Sequence, residues 1–213
     1  MVFVVRGNRL HAIVDVDASR RARLHPLDVA RAFLAGGARL LQLRAKALDS
    51  HAFLELADAL VAAARPYDAS VIINDRVDIA LLAAAAGVHV GQDDLPPRAV
   101  RHLLGNERIV GFSTHTVAQI EAAVRQPVSY VAIGPVFGTT SKDTGYDPIG
   151  LELVATAAKL AGSIPVVAIG GITLENASSV ISAGAASVAV IGDLLATGDP
   201  ERRVRAFLQS LGV

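Results

Sequence analysis

Apolar runs of strand length alternate with alanine-rich amphipathic stretches from one end of the chain to the other. The helical stretch PLDVARAFLAGG ends on Gly36-Gly37, a typical helix C-cap signal. The strand candidates are mostly continuous apolar runs, as expected when helices cover both faces of a parallel sheet. The pattern therefore predicts eight successive βα units. Their strands begin at Leu10, Arg39, Ser70, Val88, Arg108, Ser129, Ile164 and Ser187.

Eight βα units in 213 residues fit the smaller end of the (β/α)8 barrel class. A doubly wound open sheet usually has fewer strands and a glycine-rich turn after the first, whereas here the first strand leads into DASRRARLHP. No linker interrupts the alternation. We therefore predict one TIM-barrel domain over residues 1–213, in which residues 1–9 form a short extra strand or lid beneath the barrel.

Composition and charge restrict the class of partner. Hydrophobic residues make up 52% of the chain, and 20 basic residues balance 20 acidic ones, so no net field attracts nucleic acid or a membrane surface. The chain has no cysteine, no secretory leader pattern and no apolar run of membrane-spanning length. We expect a cytoplasmic protein that binds small molecules and neither nucleic acid nor membrane. Its apolar helical exterior allows a homodimer.

In a (β/α)8 barrel the active site is built where the strands end, and the second strand ends in an unusual row. Gln42, Arg44 and Lys46 are spaced by two, so their side chains leave the strand on the same side. A row of surface salt bridges is the alternative, but a buried parallel strand gives it little room. The row favours the binding of an anion.

Carboxylates follow the next two strands. Strand three ends in Asn74-Asp75 and strand four in Asp93-Asp94. Carboxylates on adjacent strands of one rim can share a hard cation, with phosphate and water completing its coordination, which predicts a Mg²⁺ site. Asp-Asp and Asn-Asp are also frequent in turns and caps, and either Asp93 or Asp94 could cap the helix that opens at Pro96-Pro97.

The last strands end in residues that suit phosphate. Strand six leads into GPVFGTTSK, whose hydroxyls and lysine exceed what a turn needs, and glycines follow strands seven and eight. We expect a monophosphate subsite here and a pyrophosphate subsite at the strand-two cations and the metal, with Lys142 connecting them. The monophosphate subsite comprises Thr139, Thr140, Ser141, Gly171, Ile191 and Gly192.

Five segments, in order, resemble the motifs of the thiamine-phosphate synthase family between about Leu10 and Leu194. They are LQLRAK, IINDRVDIALLAAAAGVHVGQDDL, GFSTH, GPVFGTTSK and VVAIGGITLENA. That family is a (β/α)8 barrel of transferases. Its members join an aminopyrimidine-methyl diphosphate to a thiazole-ethyl phosphate and release pyrophosphate, through a pyrimidine carbocation that the thiazole nitrogen traps.

The resemblance assigns roles to the strand-end residues. It implies Mg²⁺ as cofactor, held by Asp75 and Asp94. The residues implied for the pyrimidine diphosphate are Gln42, Arg44, Lys46, Asn74, Ser113 and Lys142. Of these, the resemblance implies a catalytic role for Arg44, Lys46, Ser113 and Lys142. Those implied for the thiazole phosphate are Thr139, Thr140, Ser141, Gly171, Ile191 and Gly192.

This chain departs from the family pattern at three positions. Ala45 stands where an acidic residue is frequent, Gly138 where proline is frequent, and Gly192 where serine is common. Ala45 should point away from the site, Gly138 should loosen the strand-six loop, and Gly192 removes a hydroxyl but keeps a backbone donor. None of these changes removes a cation or a predicted metal ligand.

Three other functions remain open. The chain also resembles the thiazole tautomerases, in which a histidine matching His115 is the acid–base residue. The STH motif occurs in the synthases too, so we favour a structural hydrogen bond as the role of His115. A non-catalytic barrel that binds a phosphorylated ligand is the second. Another phosphate-handling barrel, such as an epimerase, is the third. His11 and His89 fit either a satisfied inner-barrel role or contact with the pyrimidine.

Overall fold

Eight parallel strands close into a barrel in the computed structural model, which describes residues 7–138 and 145–213. Each strand pairs with the next in sequence, and β8 pairs with β1. The predicted (β/α)8 fold is confirmed. The strands are β1 Leu10–Asp15, β2 Leu40–Arg44, β3 Ser70–Asn74, β4 Gly87–Val90, β5 Ile109–Thr114, β6 Tyr130–Ile133, β7 Val166–Ile169 and β8 Ser187–Val190.

Helices surround the barrel and alternate with its strands, as the sequence pattern predicts. The α-helices are α1 Val16–Arg21, α2 Pro26–Ala35, α3 Ser50–Ala64, α4 Val77–Leu82, α5 Pro97–Leu104, α6 Val117–Ala123, α7 Gly150–Ala161, α8 Ala177–Ser182 and α9 Pro200–Leu211. Short 3₁₀ helices cover Arg65–Tyr67 and Gly192–Leu195. In the described part of the chain, no helix is long and apolar enough to cross a membrane.

Two apolar cores follow from the alternation of side chains along each strand. In β1, Ala12 and Val14 face outward into the large core between strands and helices, whereas Ile13 belongs to a smaller cluster inside the barrel. Tyr130 is the largest member of that inner cluster. The small inner core fills the base of the barrel and leaves the carboxyl ends of the strands to polar side chains.

Capping residues in the sequence mark the end of one helix correctly but not the start of another. Helix α2 ends at Ala35 with Gly36 as its C-cap, and Gly37 has φ +107°, as the Gly-Gly signal predicts. Thr173, a residue type that favours helix N-caps, instead opens a turn, and helix α8 begins at Ala177. The turn intervenes because the Thr173 carbonyl accepts hydrogen bonds from the backbone N–H groups of Asn176 and Ala177. Residues 1–6 lie outside the described residues, so the N-terminal extension stays a prediction.

Candidate active site

A cavity of about 620 Å³ opens at the carboxyl ends of the strands. Every predicted site residue in the described part of the chain lines it: Gln42, Arg44, Lys46, Asn74, Asp75, Asp94, Ser113, Gly171, Ile191 and Gly192. Thr139, Thr140, Ser141 and Lys142 lie outside the described residues. Residues from strands that are distant in sequence thus meet in one space, as the barrel topology requires.

Arg44, at the end of β2, is held by a partner that sequence reasoning missed. Its Nη1 lies 2.5 Å from Oδ2 of Asp15, the last residue of β1, and that carboxylate is almost fully buried. Asp15 Oδ1 also accepts the backbone N–H of Ala18 and so caps α1. Asp15 and Arg44 are level in the β1–β2 register, a pairing that the linear sequence does not show.

Lys46 lies beyond the end of β2, and its ammonium group pairs with Asp75 at 2.5 Å. Asp75 follows β3 with φ +63°, a left-handed conformation that aspartate tolerates better than most residues. Its backbone N–H donates to the carbonyl of His89 on the neighbouring strand. The turn therefore fixes the Asp75 carboxylate at the rim, next to the strand-two cations.

Asp94 completes this group of charges. Its Oδ2 accepts the backbone N–H of Gly91 at 2.7 Å, so it closes the turn after β4. The residue before α5 is Pro96, and no side chain caps that helix, so the predicted capping role for Asp93 or Asp94 is wrong. Burial raises the pKa of Asp94, and the adjacent Asp75 raises it further, while Gly91 and Lys46 act in the opposite direction.

The Asp75–Asp94 pair fits a magnesium ion. Within residues 7–138 and 145–213, no group of three or more acidic or histidine side chains could hold a metal by itself. Magnesium is usually held by one or two carboxylates, with water and substrate phosphates as its remaining ligands. Burial and then the neighbouring Asp75 raise the pKa of Asp94, and a divalent cation between the two carboxylates would offset both effects. We call Arg44, Lys46, Asp75 and Asp94 the charged half of the cavity.

The opposite wall, which we call the neutral half, consists of Gly170, Gly171, Ile191 and Gly192. Gly170 has φ +100° and Gly171 φ +63°. A Cβ at Gly171 would lie 2.5 Å from the carbonyl oxygen of Gly138, so only glycine lets these loops approach. Gly138, the last described residue before Thr139, therefore lies beside Gly171.

An internal ion pair balances the charge beneath the neutral half. Asp193 Oδ2 accepts from the backbone N–H of Leu174 at 3.1 Å and pairs with Arg203 at 2.7 Å. Both charged side chains are mostly buried. Asp193 thus ties the loop after β8 to the loop after β7 and to α9. Because Arg203 neutralises Asp193, this carboxylate would not repel an anion bound beside the glycine loops.

The cavity floor is polar. His89 Nε2 lies 2.8 Å from Ser113 Oγ, and its Nδ1 lies 2.9 Å from the hydroxyl of the buried Tyr130. Both ring nitrogens of His89 therefore have hydrogen-bond partners, as expected for a structural residue inside the barrel. His11 differs, because among the described residues neither of its ring nitrogens has a hydrogen-bond partner. Burial, followed by the neighbouring His89, lowers the pKa of His11 to about 3, so the ring is neutral.

His115 lines the cavity rim. Its Nδ1 lies 2.6 Å from the carbonyl oxygen of Gly134, and a carbonyl can only accept, so Nδ1 carries the proton. The ring stacks on Tyr146, with ring centroids 4.0 Å apart. These contacts give His115 the structural hydrogen bond that was one of its two expected roles.

The comparisons with known proteins agree with this geometry. The family model described as thiamine monophosphate synthase matches residues 10–194, which is most of the chain. The chain belongs to the thiamine monophosphate synthase family. The thiamine-phosphate synthase of Koribacter versatilis (strain Ellin345) is 46% identical over 205 residues, covering 95% of each chain. That of Roseiflexus sp. (strain RS-1) is 44% identical over 201 residues, covering 94% of this chain and 84% of the relative.

A solved structure supports the same family. The thiamine phosphate pyrophosphorylase from Pyrococcus furiosus superposes with a TM-score of 0.87 at 29% identity, covering 98% of this chain and 97% of its own. In the present chain, Ala45 is buried in the outer core and does not line the cavity, so its side chain points away from the site, as predicted.

Proposed function

We propose that this protein is a thiamine-phosphate synthase that joins the pyrimidine diphosphate to the thiazole phosphate and releases pyrophosphate. One observation carries the proposal. A single cavity presents a charged half with two cations and a carboxylate pair, and opposite it a neutral half bounded by glycines. Two substrates with different phosphate groups need two such surroundings within reach of each other.

The charged half is proposed to bind the diphosphate. Gln42 and Asn74 line the inner part of this wall, where they can orient the pyrimidine ring, while Arg44 and Lys46 lie nearer the rim. As the C–O bond breaks, negative charge collects on the leaving pyrophosphate. Arg44, fixed by its Asp15 partner, and Lys46 stabilise that charge. Ser113 and Lys142 are proposed to contact the same substrate.

Asp75 and Asp94 are proposed to hold Mg²⁺ beside these cations. The ion supplies a Lewis acid for the phosphate oxygens of the leaving group. Lys46 pairs with Asp75 in the structure, so it lies close enough to move between this carboxylate and a bound phosphate. The side chain of Lys46 is half exposed, which leaves it room for that movement.

The neutral half is proposed to hold the thiazole phosphate, with Thr139, Thr140 and Ser141 closing over Gly171, Ile191 and Gly192. This phosphate does not react, so its site needs to position it rather than stabilise new charge. The nucleophile is a neutral ring nitrogen with a free lone pair, and the transfer therefore needs no strong general base. The site acts by holding two rings in line.

The thiazole tautomerase is the alternative with a candidate residue, His115. The hydrogen bond from its Nδ1 to the Gly134 carbonyl orients the ring and is compatible with either role. The charged half favours the synthase, because a proton shift alone would give that half no role. Cytoplasmic location, small phosphorylated partners and a homodimer stay predictions. Leu82 and Leu103 are exposed on the neighbouring helices α4 and α5 and give the exterior apolar surface of the kind that the dimer prediction assumes.

The test is pyrophosphate release by the purified protein, with both substrates, with each substrate omitted in turn, and with or without Mg²⁺. The proposal predicts release only when both substrates and the metal are present, with thiamine phosphate as the other product. Isomerisation of the thiazole carboxylate phosphate without metal, and no pyrophosphate, would establish the tautomerase instead.

A further inference from the structure

His89, Gly111 and Tyr130 form one row across three neighbouring strands. His89 of β4 is level with Gly111 of β5, which is level with Tyr130 of β6. Gly111 has no side chain, so the side chains on either side meet above it. A Cβ at Gly111 would lie 2.1 Å from Tyr130 Cζ and 2.5 Å from His89 Nδ1. The glycine is therefore a condition for contact between the histidine and the tyrosine.

The imidazole of His89 connects the floor of the barrel to its rim. Nδ1 lies 2.9 Å from the Tyr130 hydroxyl and Nε2 lies 2.8 Å from Ser113 Oγ. The two rings also stack, with centroids 5.5 Å apart and an interplanar angle of 17°. Each nitrogen thus faces a hydroxyl group, which can donate or accept. The direction of the two hydrogen bonds depends on which hydroxyl must donate.

Tyr130 sets that direction. Its side chain is fully buried, and burial raises the pKa of the phenol far above its ordinary value, so the hydroxyl keeps its proton. Among residues 7–138 and 145–213, His89 Nδ1 is the hydrogen-bond partner of that hydroxyl. A buried donor without an acceptor is unfavourable, whereas a spare lone pair on the phenol costs less. The Tyr130 hydroxyl therefore donates to Nδ1.

The tautomer of His89 follows. If Nδ1 accepts, the proton of the neutral ring is on Nε2, which donates to Ser113 Oγ. The hydrogen of Ser113 is then directed away from His89, towards the cavity that Ser113 lines. We propose that Tyr130 is a positioning residue that fixes His89 as the Nε2–H tautomer and so commits the Ser113 hydroxyl to donate into the cavity.

Part of this inference rests on the proposed function, namely the identity of the acceptor as an oxygen of the diphosphate substrate. The tautomer itself does not. His11 packs edge-on against the same Tyr130, at 6.0 Å between ring centroids, so the phenol is enclosed on that side as well. A second hydrogen-bonded arrangement, in which Ser113 donates to Nε2, would leave the phenol proton without an acceptor among the described residues.

The direct test is ¹⁵N NMR of the intact protein labelled in its histidine rings, without substrate, with His89→Gln used to assign the signals. We expect the His89 ring to carry its proton on Nε2 alone. In Tyr130→Phe, which keeps the ring and its stacking, we expect the His89 shifts to move towards those of mixed tautomers. A proton on Nδ1, a doubly protonated ring, or unchanged shifts in Tyr130→Phe would overturn the proposal.

Kinetics supply the second test. Tyr130→Phe should lower kcat/KM for the pyrimidine diphosphate about tenfold, the change expected from loss of one hydrogen bond, and leave the KM for the thiazole phosphate unchanged. In a Ser113→Ala background the same change should have almost no further effect. Equal losses in both backgrounds would show that Tyr130 acts only through packing. Tyr67→Phe, on the exterior, is the matched control.

These two tests separate failure of this inference from failure of the proposed function. If the protein releases no pyrophosphate but His89 is the Nε2–H tautomer, the function is wrong and the positioning role of Tyr130 stands. If pyrophosphate is released normally but His89 carries its proton on Nδ1, the function stands and the role of Tyr130 is wrong.

Discussion

The charged half and the neutral half of the cavity offer an anion two different surroundings. In the charged half, Arg44 and Lys46 each pair with a carboxylate, and Asp94 repels Asp75. In the neutral half, left-handed glycines bring backbone close to the ligand space, and Asp193 is neutralised by Arg203. The difference indicates that cationic side chains and a metal ion stabilise the departing pyrophosphate, whereas backbone groups of the glycine loops position the thiazole phosphate, which does not react.

The largest effect is expected from removal of a carboxylate in the charged half. Asp94→Asn should lower kcat/KM for the pyrimidine diphosphate by about a hundredfold or more, because metal stabilisation of the leaving group is lost. The Mg²⁺ concentration for half-maximal rate should rise, and Asp75→Asn should behave in the same way. Steady-state rates across a Mg²⁺ titration measure both quantities.

The neighbouring Asp93→Asn is the matched control for this prediction, because Asp93 also lines the cavity but is not assigned to the metal. An unchanged Mg²⁺ requirement in Asp94→Asn, or an equal loss in Asp93→Asn, would remove the metal assignment.

Removal of a cation from the charged half should have the next largest effect. Lys46→Ala should reduce kcat by about 10- to 100-fold, since its charge matters most when pyrophosphate departs. The KM for the thiazole phosphate should change little. Lys46→Arg, which keeps the positive charge, should recover part of the rate. If Lys46→Ala raised both KM values and left kcat unchanged, Lys46 would act in binding alone.

A change in the neutral half should reverse this pattern. Gly171→Ala places a methyl group 2.5 Å from the Gly138 carbonyl at φ +63°, so the two loops must separate. We expect the KM for the thiazole phosphate to rise about tenfold, with a stability loss of about 1 kcal/mol or more, and no change in the Mg²⁺ requirement. Thermal unfolding and kinetics for each substrate measure these effects.

Gly138→Ala is the control here, because a Cβ at Gly138 has nothing within 4 Å among the described neighbours. An equal rise in KM from both substitutions would mean that the neutral half does not depend on the close approach at Gly171.

The smallest effect is expected at Asp15, which acts through Arg44. Asp15→Asn keeps a side-chain oxygen to cap α1 but removes the charge that fixes the guanidinium. We expect the KM for the pyrimidine diphosphate to rise about threefold, with a stability loss of about 1 kcal/mol. Asp17→Asn in the same helix should alter neither. If the thiazole phosphate KM rose instead, Arg44 would belong to the other subsite.

Much of this contrast could be predicted from sequence because strand ends in a parallel barrel share one rim. Spacing by two brought Gln42 and Arg44 to the same side, and adjacent strands brought Asp75 and Asp94 together. Asp15 was missed because its partner is 29 residues away and its position at the end of β1 resembles an ordinary helix cap. Pairing between strands decides such contacts, and a linear pattern does not show register.

The floor of the cavity was the other part that sequence could not specify. His11 on β1 and His89 on β4 each lie within a short apolar strand, yet His11 has no hydrogen-bond partner among the described residues and His89 bridges Tyr130 and Ser113. The difference arises because Gly111 separates His89 from Tyr130. Nothing in either local sequence indicates that a glycine on a third strand makes the contact.

Calorimetric titration of each substrate alone, with and without Mg²⁺, tests the central claim most directly. We expect Mg²⁺ to tighten binding of the pyrimidine diphosphate at least tenfold, equivalent to ~1.4 kcal/mol, and to leave binding of the thiazole phosphate unchanged. Equal Mg²⁺ dependence for the two substrates, or dependence for the thiazole phosphate alone, would contradict the division of the cavity into a charged and a neutral half.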